Sequence, residues 1–388
     1  GPIREGRVEI GDLTLLIGPQ NSGKTYLSML FYALSELGAR LFDIIKNEIA
    51  DFLHAHGIRG KLEPGDICDM ISKHQYELER RVAQAIKEIG RRFMTSELRA
   101  CFLTHDLKML VRKGTDKARA LCSYGPSKQG LHLLISIGRE ASIEDVRLDE
   151  GMLLDLVTRL KLGMHISERG LDFTIVKGFF PIEVLYVPAD RLAIVSSLSS
   201  YISLLLDIHR HVFERASVAE VLRQVGFGVR KPLLDYIKII DLAIREGGSL
   251  VEARPHGRVL SIGSFSIEEG RIWYEDPRGV KIPVELASSG VAQLIGILLP
   301  LLVPLSPLLW HEYGMVIIEE PEVNLHADLH IEVARFLADL SRRLKVFITT
   351  HSHYVLAELS NLLVSGELKG LKAYFVDPET GLIEPLAV

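Results

Sequence analysis

Gly18-Pro19-Gln20-Asn21-Ser22-Gly23-Lys24-Thr25 is the stretch on which the rest of the chain turns. It matches G-x-x-x-x-G-K-[ST] at every fixed position. Before it lies a short apolar run, Leu13 to Ile17; after it, from Gly23 to Leu37, apolar residues recur at helical spacing. Strand, loop and helix are the context in which this pattern wraps a polyphosphate. The glycines permit a tight path with backbone N–H groups turned inward, and the following helix adds the positive end of its dipole. Lys24 is expected to reach the terminal phosphates, and the Thr25 hydroxyl to ligate Mg²⁺. A chance glycine-rich turn is the alternative, and it leaves the strand-then-helix context unexplained.

Downstream, Met315-Val316-Ile317-Ile318 runs into Glu319-Glu320-Pro321-Glu322. Carboxylates at the C-terminal end of a strand sit at the ligand-binding edge of a parallel sheet. Glu319 is expected to hold Mg²⁺, directly or through water, and Glu320 to polarise an attacking water. A solvated acidic turn is the competing reading. It does not say why a buried strand should end on three acids around a proline, where like charges repel.

Between these motifs the pattern alternates. The stretch from Ala39 to Leu121 reads as mainly helical, with a turn at Glu63-Pro64-Gly65-Asp66. Leu131 to Ile137, Phe173 to Val176 and Val184 to Val187 read as strands, the last stopped by Pro188. Ala193 to Ile244 turns helical, and Ile262 to Tyr274 alternates like a hairpin turning at Glu268-Glu269-Gly270. Helix Ala327 to Leu344, strand Val346 to Thr349, helix Tyr354 to Leu363 and a closing strand Lys372 to Val376 follow. This order predicts an α/β fold with a mostly parallel central sheet flanked by helices. It predicts one domain over residues 1–388, with helical inserts at 39–121 and 192–248 and the downstream motifs in 280–376.

The downstream motifs resemble those of ABC-type ATPases, and most of all the OLD-like (overcoming lysogenization defect) family of P-loop ATPases. Ile318-Glu319-Glu320-Pro321-Glu322-Val323-Asn324-Leu325-His326 resembles that family's I-E-E-P-E-x-x-L-H. Ile348-Thr349-Thr350-His351-Ser352 resembles its T-T-H-S switch, and Ser288-Ser289-Gly290-Val291-Ala292-Gln293 its S-S-G-x-x-Q signature. The likeness is close over residues 11–37 and about 280–365, and only in outline between them. It implies a P-loop NTPase of ABC-ATPase type with helical inserts, binding ATP and Mg²⁺ and hydrolysing ATP to ADP and phosphate. It also implies a head-to-tail homodimer with two ATP molecules sandwiched between heads. Ser288, Ser289 and Gly290, just before an apolar helix, would offer N–H groups to the γ-phosphate held by a partner subunit; plain helix capping is the alternative. His351, at a strand end, would reach the γ-phosphate or the attacking water, against a helix start merely capped by Ser352. Asn324-Leu325-His326 corresponds to the D-loop. Tyr186-Val187-Pro188-Ala189-Asp190-Arg191 occupies the place of the Q-loop, where Asp190 replaces the glutamine of transporters. Asp190 is a candidate for Mg²⁺ or water. Arg191 either pairs with it or contacts phosphate, or the two form an ordinary surface ion pair.

Composition narrows the function. A formal charge of −5 argues against a non-specific nucleic-acid coat. Basic clusters at Arg91-Arg92, at Arg112-Lys113 with Lys117 and Arg119, and at Arg342-Arg343 leave open a DNA-facing patch or ordinary solvated helix faces. Three cysteines, Cys68, Cys101 and Cys122, form no disulfide framework or metal motif, so a cytoplasmic setting is expected. Scarce Asn and Gln fit a thermophile. The apolar run Leu294 to Trp310 is interrupted by Pro300, Pro304 and Pro307 and reads as a buried helix and loop, not a membrane span. OLD nucleases append a Toprim domain. Only 37 residues follow His351 (388 − 351), so nuclease activity within this chain is not expected; a separate nuclease or other effector protein is a candidate partner. No heptad pattern persists to form a long arm. The expectation is an ATPase that drives or gates a DNA-related process, repair or antiviral defence. Its alternative is a nucleotide-gated clamp or scaffold with little hydrolysis.

Overall fold

The computed structural model describes residues 3–57, 60–62, 64–125, 130–154, 164–167, 170–172, 183–196, 229–246, 260–302 and 314–388. They group into two compact units: Ala33–Glu183, and Pro2–Tyr32 with Val184–Val388. The first unit contains the 39–121 stretch that the sequence reads as an insert in one domain. The expected strand Phe173 to Val176, residues 197–228 of the second helical stretch, and residues 303–310 with Pro304 and Pro307 lie outside the described residues.

The chain opens with β1 (Glu5–Gly6), β2 (Leu13–Ile17) and α1 (Lys24–Ala55). Leu37, Leu41, Ile44, Ile45, Ile49, Phe52 and Leu53 are all buried. That apolar stripe carries α1 straight through Gly38, where the sequence reading ends the helix; burial at helical spacing outweighs a glycine penalty of about 1 kcal/mol. The expected insert boundary at residue 39 therefore falls inside a helix. The predicted helical stretch also contains two strands. After α1 come β3 (Gly60–Leu62), α2 (Pro64–Lys73), α3 (Gln75–Phe102) and β4 (Ala118–Tyr124). The Ala- and Leu-containing sequence of β4 carries no strong strand preference of its own. Pairing with β5 (Leu131–Ile137), from Ala118 opposite Ile137 to Tyr124 opposite Leu131, makes it a strand. β6 (Ala141–Leu148) completes an antiparallel three-stranded sheet. α3 lays Leu78, Val82, Ile86, Met94 and Leu98 inward, and Thr95 exchanges hydrogen bonds with the backbone of Ala141 at 3.0 and 3.1 Å. β7 (Met164–Ser167) and β8 (Gly170–Asp172) form a second small antiparallel sheet with β3.

The other unit is built on a seven-stranded sheet. β9 (Glu183–Val187) is followed by α4 (Lys231–Glu246) and the antiparallel set β10 (Ser264–Glu268), β11 (Arg271–Glu275) and β12 (Lys281–Pro283). Then come α5 (Ser289–Leu302), β13 (Gly314–Glu319), α6 (Ala327–Leu340), β14 (Lys345–Thr350), α7 (His353–Val364), β15 (Leu371–Val376) and β16 (Leu382–Pro385). The strand order is β1-β16-β15-β2-β14-β13-β9. β15, β2, β14 and β13 run parallel, while β16 pairs antiparallel with β15, so Lys372 to Val376 is not the closing strand. Every residue of β2 and β13 is buried, the mark of a sheet covered on both faces. Within the second helical stretch, Tyr236, Ile237, Ile240, Ala243 and Ile244 of α4 share one core with α5, α6 and α7. The Tyr236 hydroxyl donates to the Gly296 carbonyl of α5 at 2.8 Å. α5 continues through Pro300 to Leu302, with Leu294 to Leu299 in that core apart from Gly296. Among the described residues, no helix is long and apolar enough to cross a membrane.

Candidate functional site

Parallel register brings the motifs to one rim. Glu319 pairs with Thr349, and Thr350 with Ile17. The last residues of β13, β14 and β2 therefore end level, and the loops that follow them begin side by side. These loops carry Glu320, His351 and Gly18.

The Gly18–Thr25 loop is shaped by close approach. A Cβ at Gly18 would lie 2.6 Å from the Val376 carbonyl, and Asn21 and Gly23 hold positive φ of 60° and 102°. Lys24 begins α1, and its Nζ donates to the carbonyls of Gly18 and Pro19, each at 2.8 Å, and to Ser22 Oγ at 3.4 Å. Burial pulls this ammonium below its ordinary value, against Glu320, Glu322 and Glu319, whose charges hold it up. A cavity of about 500 Å³ opens here, lined by Gln20, Asn21, Gly23, Lys24, Thr25, Tyr26, Glu320 and His351.

The two leading acids sit differently. Glu319 is 5% exposed. Its Oε1 accepts from Ser28 Oγ at 2.8 Å, and its carboxylate also hydrogen bonds to the Tyr186 and Thr25 hydroxyls and the Ala189 N–H. Burial nevertheless pushes its carboxyl above the usual range. Glu320 lies past the strand end at a φ of 43°, a left-handed conformation that non-glycine residues rarely hold. The Glu320 carboxylate faces the cavity, with Oε1 3.0 Å from His351 Nε2. Glu322 ties the acidic turn to the end of β14, because its Oε1 accepts from Thr350 Oγ1 at 2.6 Å and from the His351 N–H at 2.9 Å. Ser352 caps α7 by accepting from the Val355 N–H at 3.2 Å, so capping and a cavity-facing His351 coexist.

The Q-loop pair departs from expectation. Asp190 is exposed and Arg191 is fully buried. Arg191 donates to the carbonyls of Pro188 (2.9 Å), Glu319 (2.8 Å), Glu320 (2.9 Å) and Gln293 (3.2 Å). It is a structural clamp on the Glu319–Glu320 turn, in place of the expected surface pair or phosphate contact. Burial lowers its pKa to about 10, with nearby carboxylates opposing. Asp190 does not line the cavity. The contacts of Ser28, Tyr186 and Glu322 at this rim were not assigned from the sequence. The E-E-P-E spacing was the one signal for Glu322, whereas Ser28 and Tyr186 are ordinary helix and strand residues until folding sets them beside Glu319.

Ser288, Ser289 and Gly290 also lie off the cavity lining. The two serines are exposed at the start of α5, and Ser288 Oγ accepts weakly from the Val291 N–H at 3.4 Å. Gly290 is buried against the D-loop, where a Cβ would come within 3.0 Å of the Asn324 carbonyl. His330 bridges from α6, with Nδ1 2.9 Å from Ser352 Oγ and Nε2 3.2 Å from the Leu325 carbonyl.

A P-loop between a buried strand and a helix, at the rim of a mostly parallel sheet whose neighbouring strands end in paired acids and a histidine, is the arrangement of a P-loop NTPase fold. Residues 189–357 match the family model described as "AAA domain, putative AbiEii toxin, Type IV TA system". Among solved structures, the chain is similar to the SMC head domain from Thermotoga maritima, with 12% identity over 98% of this chain and 92% of that one, at a TM-score of 0.38. An SmcHead bound to the C-winged helix domain of ScpA is 10% identical over 98% and 91% of the two chains, at a TM-score of 0.41. An Smc head with an extended coiled coil, bound to the C-terminal domain of ScpA derived from Pyrococcus furiosus, is 10% identical over 97% and 89%, at 0.38. None of the curated proteins matches the sequence.

Proposed function

We propose that this chain is an ATP-hydrolysing head that binds Mg²⁺-ATP in the Gly18–Thr25 cradle and dimerises head to tail around it. The observation that supports this most is the gathering of Lys24, Thr25, Glu319, Glu320 and His351 at one sheet rim. The site suits the ligands on its own chemistry: a tight glycine-containing loop at a helix start and an ammonium for phosphates, and a buried carboxylate beside a threonine hydroxyl for a hard cation. Lys24 Nζ would exchange its Gly18 and Pro19 carbonyls for phosphate oxygens. Thr25 and Glu319 would hold Mg²⁺, which when bound would neutralise phosphate charge. Glu320 would take the proton of the attacking water, and His351 would hold the Glu320 carboxylate in place. ATP and water would leave as ADP and phosphate.

Ser288 and Ser289, exposed at the start of α5, and Gly290 behind them would act against the nucleotide of a second head. Asp190, exposed, would bind water at most. A DNA-related process, with a nuclease partner supplied by another chain, remains the reading drawn from the OLD-like resemblance.

Glu320→Gln should stop phosphate release while ATP-bound dimer accumulates, read by colorimetric phosphate assay and sedimentation velocity. A variant that stays monomeric and hydrolyses at the wild-type rate would remove the proposal. Wild-type turnover negligible with or without DNA would leave the nucleotide-gated clamp in its place.

A further inference from the structure

Three metal-ligating side chains converge within the Ala33–Glu183 unit, apart from the nucleotide cavity. His56 directly follows α1, His74 directly precedes α3, and Glu77 lies in the first turn of α3. One donor atom from each lies within 4.8 Å of the other two. His56 Nδ1 is 2.9 Å from the Phe52 carbonyl. Donation of Nδ1–H to that carbonyl leaves Nε2 with an outward lone pair, the arrangement by which backbone carbonyls orient metal-binding imidazoles. His74 occupies the N-cap of α3 yet its side chain caps nothing. It is turned instead toward His56, with ring centroids 4.8 Å apart. Glu77 Oε2 stands 3.9 Å from His74 Nδ1 and supplies the negative charge.

We propose that His56, His74 and Glu77 form a divalent transition-metal site of the zinc class. Two imidazoles and one carboxylate are a zinc ligand set, with water completing a tetrahedron. Bonds of about 2.1 Å require the donor atoms to close to roughly 3.4 Å of one another, a small side-chain movement for groups with exposed or half-buried rings and carboxylate. The ion would fasten the end of α1 to the start of α3, across the segment that contains β3 and α2, and would stabilise the fold because it binds the folded chain. Its absence would leave Phe52, His56 and His74 as a stack of rings, with centroids 4.2 and 5.8 Å from Phe52.

The test uses the full, tag-free chain titrated with Co²⁺ and then Zn²⁺. One equivalent of Co²⁺ should show the visible absorption of a four-coordinate ion, be displaced by Zn²⁺, and raise the melting temperature by several degrees. His56→Ala, His74→Ala and Glu77→Gln should each weaken binding at least tenfold with ATP turnover unchanged. Glu319→Gln, altered only at the nucleotide site, should keep the signal. The proposal is overturned by no Co²⁺ signal in the wild type, by a signal that survives His56→Ala combined with His74→Ala, or by one lost in Glu319→Gln.

Discussion

Arg191 is fully buried, and its guanidinium donates to four backbone carbonyls from three segments. The planar fork fits that role, and an ammonium does not. Arg191→Met should cost about 3 kcal/mol in urea unfolding, because buried carbonyls lose their donor. Arg191→Lys should recover only part of that, and both should slow ATP turnover by letting Glu320 leave its left-handed turn. Wild-type turnover in Arg191→Met would show that the turn holds itself. Glu319 poses the opposite balance. Burial raises its carboxyl above the ordinary 4.5, so the folded chain binds this proton more tightly than the unfolded one. Stability then falls as pH rises from 4.5 through the raised value, and the charged carboxylate is a cost at neutral pH. Glu319→Gln should therefore stabilise the ligand-free protein by about 1 kcal/mol while abolishing the proposed Mg²⁺-dependent turnover. A lower melting temperature in that variant would mean that the hydrogen bonds to Ser28, Tyr186 and Thr25 outweigh the burial.

The level strand ends of β2, β13 and β14 turn three distant motifs into neighbours, and that is an effect of register. β4 shows how context rewrites an element: a segment with helix-forming residues becomes a strand once β5 offers it a full set of partners. α1 shows the converse, two helical stretches joined through Gly38 into one helix by the buried stripe around it. The β5–β6 pair also holds a pH-sensitive link. Asp149, just beyond β6, accepts from the Gly130 N–H and lies next to His132 Nε2, both at 3.0 Å, and it accepts from Arg147 at 3.2 Å. The His132 contact above all, then the Gly130 N–H, hold its carboxyl down to about 2 from 3.8. The stabilisation is present above 3.8 and is lost as pH falls toward 2. Asp149→Asn should thus melt below the wild type at pH 6, with the gap closing over that acid interval. A gap that stays constant with pH would assign the effect to packing.

Each of the two compact units has its own buried set, one around α3 and the β4–β5–β6 sheet, the other around the seven-stranded sheet. Calorimetry should resolve two transitions, and Mg²⁺-ATP added to Glu320→Gln should move only the one that belongs to the P-loop unit. A single transition shifted as a whole would mean that the two unfold together. Part of what meets at the sheet rim was legible beforehand. That the P-loop, Glu319, Glu320 and His351 would stand at strand ends was readable because each motif directly follows an apolar strand-like run. That an α/β chain would put a parallel sheet behind them followed from the alternation of strands and helices. What the sequence could not determine was whatever depends on a partner distant along the chain. Arg191 became a clamp rather than a phosphate ligand because the carbonyls of Gln293, Glu319 and Glu320 fold around it. Ser28, Tyr186 and Glu322 acquired their roles only when neighbouring strands aligned. Local pattern records the chemistry that a short segment can perform, whereas burial and hydrogen bonding between segments exist only after the chain has closed on itself.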